Sequence, residues 1–84
     1  MKDFDYYIGV AAEAEKRSYM LWQLANRFIR VTLERFKKQG KTLAEAAAFL
    51  DKAAGPEKKN EPVSLCNFRA MARALRSGEE LVLL

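Results

Sequence analysis

The chain has 84 residues, half of them hydrophobic and 31% charged, which excludes a disordered tail and fits one small domain. Its formal charge is +4, with one cysteine and no histidine. An internal disulfide and Cys/His zinc sites are therefore excluded, and the commonest general base is missing.

A domain of this size buries only about 60–65% of the surface its unfolded chain exposes, so a second copy or a partner is a natural source of extra stability. Charges are mixed along the chain. Residues 1–40 hold 8 Lys/Arg against 5 Asp/Glu, and residues 41–84 hold 7 against 6. That is less one-sided than a dedicated nucleic-acid binder. The start, Met1-Lys2-Asp3-Phe4-Asp5, has neither the cationic lead nor the apolar core of a signal peptide. No apolar run approaches the ~20 residues that cross a bilayer. A cytoplasmic protein is expected, with membrane binding disfavoured.

The first predicted helix runs over residues 4–38. Asp3 or Asp5 caps its start, Gly9 is its only breaker, and Lys37, Lys38 and Gly40 suit its end. At 100° per residue, Leu21, Trp22, Leu24, Ala25, Phe28, Ile29, Leu33 and Phe36 share one arc, with Gln23, Asn26, Arg27, Arg30, Glu34 and Lys37 opposite. Phe4, Tyr7, Ala11, Ala14 and Ser18 continue the apolar arc. A straight helix of ~35 residues would be roughly 50 Å long. It is expected to bend near Gly9, to overhang its neighbours and to support a homodimer.

Thr42-Leu43-Ala44-Glu45 has the form of a capping box. It opens a second helix over 43–54, with Leu43, Ala46, Ala47, Leu50 and Ala54 on one face, stopped by Gly55 and Pro56. Residues 55–63 form a polar loop containing both prolines. Ser64 is the expected N-cap of a third helix over 65–76, whose apolar face is Phe68, Met71, Ala72 and Leu75. The tail, 79–84, has two acids followed by four apolar residues. Its pattern fits a short strand, a last helical turn or an extended arm. The fold expected is an all-α, single-domain three-helix bundle: one long N-terminal helix with two shorter helices packed on it.

Little here points to catalysis. The four glycines are isolated at 9, 40, 55 and 78, so no phosphate loop is present. A non-enzymatic protein with no cofactor and no metal is expected. Cys66 begins the third helix, where the dipole favours a thiolate, but a lone cysteine of this kind is expected to be buried and inert. Arg69, Arg73 and Arg76 lie within about 80° of one another on that helix, a stripe fit for phosphates or an acidic surface. Arg27, Arg30, Arg35, Lys37, Lys38 and Lys41 enrich the end of the first helix in positive charge. The loop 55–63 is too long for a helix-turn-helix, whose turn takes three to four residues. Tyr6, Ile8, Tyr19 and Met20 lie off the main apolar arc, and Leu81–Leu84 lie beyond the last helix. These surplus residues either form a contact surface or are covered, some turned inward by a bend at Gly9 and the rest packed under the tail.

The function expected is a regulatory module that occupies a protein partner, as small inhibitors, adaptors and phage-encoded regulators do. Tyr19, Trp22, Arg69, Arg73 and Arg76 are its contact residues, with the Leu81–Leu84 arm as a further choice. The alternative is a small nucleic-acid-binding regulator that uses the basic residues of the first and third helices.

Overall fold

The computed structural model describes residues 2–62 and 64–83. Met1, Val63 in the predicted loop and Leu84 in the predicted arm lie outside the described residues. All regular structure among the described residues is helical. There are four helices: α1 (Phe4–Arg17), α2 (Leu21–Lys38), α3 (Leu43–Ala54) and α4 (Ser64–Ser77).

The long N-terminal helix is thus corrected to two. Gly9 does not bend it, since α1 runs straight through that residue. The break falls at Ser18–Met20, and α2 folds back along α1. Asp5 pairs with Lys37 near one end, and Glu15 pairs with Arg27 near the other. The reason is coverage. A stripe about 50 Å long cannot be covered by helices of 12 and 14 residues, which reach roughly 18 and 21 Å. Folding the stripe on itself places Tyr7, Ala11 and Ala14 in one core with Ile29 and Leu33. The small side chains at 11 and 14 permit a close approach. No overhang results: the longest dimension is 34 Å and the radius of gyration 11.7 Å, about the 12 Å of a compact chain this long.

Both ends of the break retain helical bonding. The Ser18 amide donates to the Ala14 carbonyl, and the Leu24 amide donates to the Met20 carbonyl. Between them Met20 takes φ 60° and ψ −132°, which for a residue with a Cβ costs about 1–3 kcal/mol. A polar chain holds the turn in place. Asn67 donates to Asn26 at 2.8 Å, Asn26 donates to the Ser18 hydroxyl at 3.2 Å, and that hydroxyl donates to the Ala14 carbonyl at 2.7 Å. Asn26 and Asn67 are both buried. The chain therefore ties α4, α2 and the end of α1 together across the core, where polar groups must be bonded. Asn26 was expected on the polar face.

At the far end, α2 closes with Gly40 at φ 72° and a bond from the Lys41 amide to the Phe36 carbonyl, the pattern of a left-handed helix cap. Both halves of the Thr42/Glu45 capping box are present. The Thr42 amide and hydroxyl hold the Glu45 carboxyl below its ordinary value. Ala46, Ala47, Leu50 and Ala54 of α3 and Phe68, Met71, Ala72 and Leu75 of α4 are buried, as their periodicity predicts, with Leu43 half-buried. Ser64 is the first residue of α4 rather than its cap.

Residues 79–83 form the extended arm, laid along α1. The Tyr7 hydroxyl sits 3.0 Å from the Ala74 carbonyl and 2.7 Å from the Glu79 carbonyl, its proton shared between them. Burial, the neighbouring Tyr6 and Glu79 all raise the pKa of this phenol. Further along, the Leu81 amide donates to the Tyr6 hydroxyl and Arg17 donates to the Leu83 carbonyl. Leu83 is buried. The arm thereby covers Tyr6, one of the surplus apolar residues.

Candidate interaction surface

The five residues singled out in the sequence fall into two separate places. Tyr19 and Trp22 line an open, almost wholly apolar groove of about 500 Å³, together with Met20, Leu21, Pro62 and Ser64. Arg69, Arg73 and Arg76 line another of similar size with Asp51 and Ser77. No residue is common to the two.

The arginine groove is largely neutralised from within. Arg69 grips Glu61 with two bonds, Nε at 3.0 Å and Nη2 at 2.7 Å. This fork holds the Glu61 carboxyl below its ordinary value. Arg76 pairs with Asp51 at 2.5 Å. Among the described residues only Arg73 of the three lacks a carboxylate partner. A phosphate entering here would have to displace a carboxylate or lie beside one, which weakens the stripe as a phosphate reader.

Around Tyr19 and Trp22 the situation is the reverse. Tyr19 is 78% exposed, Met20 81%, Leu21 69% and Trp22 39%. From this tip an apolar ridge continues down α2 through Leu24 (57% exposed), Phe28 and Val31, all at helical spacings of three or four. Phe28 stacks between Phe49 of α3 and Phe68 of α4, with centroids 6.2 and 5.3 Å away, and Phe49 in turn meets Phe36. Phe28 and Phe49 each keep an outer edge exposed. The ring row is therefore core on one side and surface on the other.

This splits the predicted core arc of α2. Ile29 and Leu33 are buried and Ala25 and Phe36 half-buried, but Leu21, Trp22, Leu24 and Phe28 are exposed. The signal was the width of the arc. With Val31 included, the apolar residues of α2 span about 200°, roughly twice what one packed face uses. Arg35 and Lys38 follow Val31 by four and seven residues, so they extend the ridge with positive charge. Neither has an ion-pair partner among the described residues.

The chain matches no protein-family model, no curated protein and no solved structure. The surface must therefore be read on its own chemistry. Among the described residues no group of three or more His, Cys, Asp or Glu is placed to hold a metal ion. No helix among the described residues is long and apolar enough to cross a membrane. Cys66, expected to be buried, is exposed: α4 turns Asn67 and Phe68 inward instead. Among the described residues of the expected arm, Leu81 and Leu83 are engaged with the chain's own α1, and Val82 is exposed.

Proposed function

We propose that this domain is a non-enzymatic interaction module that binds a protein partner through the tip at Tyr19–Trp22 and the α2 ridge Leu24–Phe28–Val31. The observation that carries this reading is the continuity of exposed apolar and aromatic side chains on a domain that otherwise satisfies its buried polar groups. Monomeric surfaces rarely hold so large a run of apolar side chains without using it, and interface cores favour aromatics and methionine. Arg35 and Lys38 at the lower end of the ridge favour a partner with apolar anchors and an acidic edge. A small inhibitor or adaptor works in this way, by covering a surface on its target.

The test compares the wild-type chain with a Leu24→Glu/Val31→Glu variant. Both side chains are exposed, so the variant keeps its fold by circular dichroism. Immobilised wild type should retain a partner that survives physiological salt and that the variant fails to retain. In parallel, generic duplex and single-stranded DNA are titrated at low and physiological salt. Tight DNA binding with a steep salt slope, lost on replacing Arg73 and unaffected by the ridge variant, would replace this reading with a nucleic-acid one.

A further inference from the structure

We propose that the Ser18–Met20 turn is a swapping hinge: two copies exchange α1 by straightening residues 4–38 into one continuous helix, and Leu21 then packs on its counterpart at the two-fold axis.

Four independent observations meet at this segment. The first is its composition. The turn is Ser18-Tyr19-Met20, with no glycine or proline, and Met20 adopts φ 60°, a conformation that favours glycine. Helix bonding already reaches Ser18 from one side and Met20 from the other. The Ser18 hydroxyl bonds the Ala14 carbonyl four residues back, which a serine inside a helix also does. Straightening therefore restores a ladder interrupted at the five amides of residues 19–23.

The second is phase. From Tyr7 to Phe36 an unbroken series of positions, spaced by three or four, runs through Ala14, Ser18, Leu21 and Ala25. In a straight helix they form one stripe. Within that series Leu21 alone is exposed in the closed chain, and every other member is buried or half-buried.

The third is register. The pairs Asp5–Lys37 and Glu15–Arg27 are both centred on position 21. Two straight helices crossing antiparallel at Leu21 would remake both pairs between copies. They would also remake the Asn26–Ser18 bond, because the same residues meet at the same heights. The fourth is exposure: the most exposed apolar side chains of α2 and its approach are those of the hinge, Tyr19, Met20 and Leu21. The swapped form repeats the packing of the closed chain, relaxes two Met20 residues and buries two Leu21 side chains. Against this stands the entropy of association, so the equilibrium depends on concentration. Leu24 and Val31 stay exposed on the outer side of α2, so the proposal does not rest on the ridge of the partner-binding reading above, although it withdraws Leu21 from the tip which that reading uses.

The experiment refolds the full chain from denaturant at micromolar and at millimolar concentration and separates the species by size exclusion with light scattering. In a Cys66→Ser background, Asp5→Cys and Lys37→Cys are joined by a short bifunctional thiol reagent. The monomer fraction should link within one chain. The dimer fraction should link between chains and run at twice the mass on a denaturing gel. Met20→Gly, which accepts the turn and disfavours the straight helix, should weaken dimerisation on the order of 100-fold. Three results would overturn the proposal: no dimer after millimolar refolding, a dimer whose links form within one chain, or a Met20→Gly chain that dimerises like wild type.

Discussion

Gly55, following α3, and Met20, preceding α2, stand at turning points with nearly the same backbone twist, φ 74° and 60°. At Gly55 the conformation is free of side-chain cost, and Pro56 follows at once to prevent the helix from continuing. At Met20 nothing local calls for a turn. The conformation exists there because Asn26, eight residues past Ser18, and Asn67, on the last helix, hold the end of α1 open. One turn is specified by the residues that make it and the other by residues elsewhere in the core. The two should therefore fail in different ways.

The largest effect is expected at the remote determinant. Asn26→Ala leaves the Asn67 amide and the Ser18 hydroxyl without their shared partner, and should cost about 2–3 kcal/mol in urea unfolding. A loss under 0.5 kcal/mol, on the scale of an ordinary surface change, would mean that the polar chain does not hold the turn. Next come two substitutions of opposite sign. Gly55→Ala meets no neighbour but must hold φ 74° and ψ −173°, a region essentially reserved to glycine, so it should destabilise by about 1–3 kcal/mol. Met20→Gly should stabilise the closed monomer by roughly 1 kcal/mol at low concentration, where relief of the strained φ outweighs the greater freedom of the unfolded glycine. If both substitutions destabilise, the two turns are alike and the contrast is lost.

Thr42→Ala removes the capping box of α3 and should cost about 1 kcal/mol, with Glu45→Gln costing less. The effect of pH should be smaller still, with a sign fixed by three carboxylates. Arg30, then Arg27, hold Glu15 below its ordinary pKa, and Glu45 and Glu61 are held low by Thr42 and Arg69. The folded state thus binds fewer protons than the unfolded one. Its extra stability is complete above the unfolded value, about 4.3 for glutamate, and is lost as pH falls through the lower folded values. Thermal melts should show the midpoint dropping across that range. Glu15→Gln should flatten the drop more than Glu45→Gln, because Glu15 answers two guanidiniums across the first turn.

The same contrast explains how much could be read in advance. The cap at Thr42, the stop at Gly55–Pro56 and the inward face of α4 all depend on residues within a turn or two of one another, and each lies where its spacing predicts. The break at Ser18 does not announce itself, because the apolar stripe stays in phase across it and every residue tolerates a helix. Length was the one warning: an unbroken helix of that span had nothing long enough to lie against. Tyr19 was legible as surface because it lies off the stripe, and Trp22 as a contact because it stands at the edge of the arc. Leu24 and Phe28 were not, because they fit it well, and only the number of neighbouring helices decides which part of a wide apolar arc is covered. Arg69 and Arg76 looked available as free charges because Glu61 and Asp51, their partners, come from a loop and from another helix.

Trp22 is the chain's one tryptophan, and it lies at the start of α2, two residues past the strained Met20 rather than in the core. Its emission will therefore report the solvent around that corner, while far-ultraviolet ellipticity reports all four helices. If the corner opens before the core melts, the two signals will separate along a denaturant curve. Coincidence of probes is the usual sign of an all-or-none transition. In this protein a separation would record a partly folded species in which the corner has opened while the helices persist.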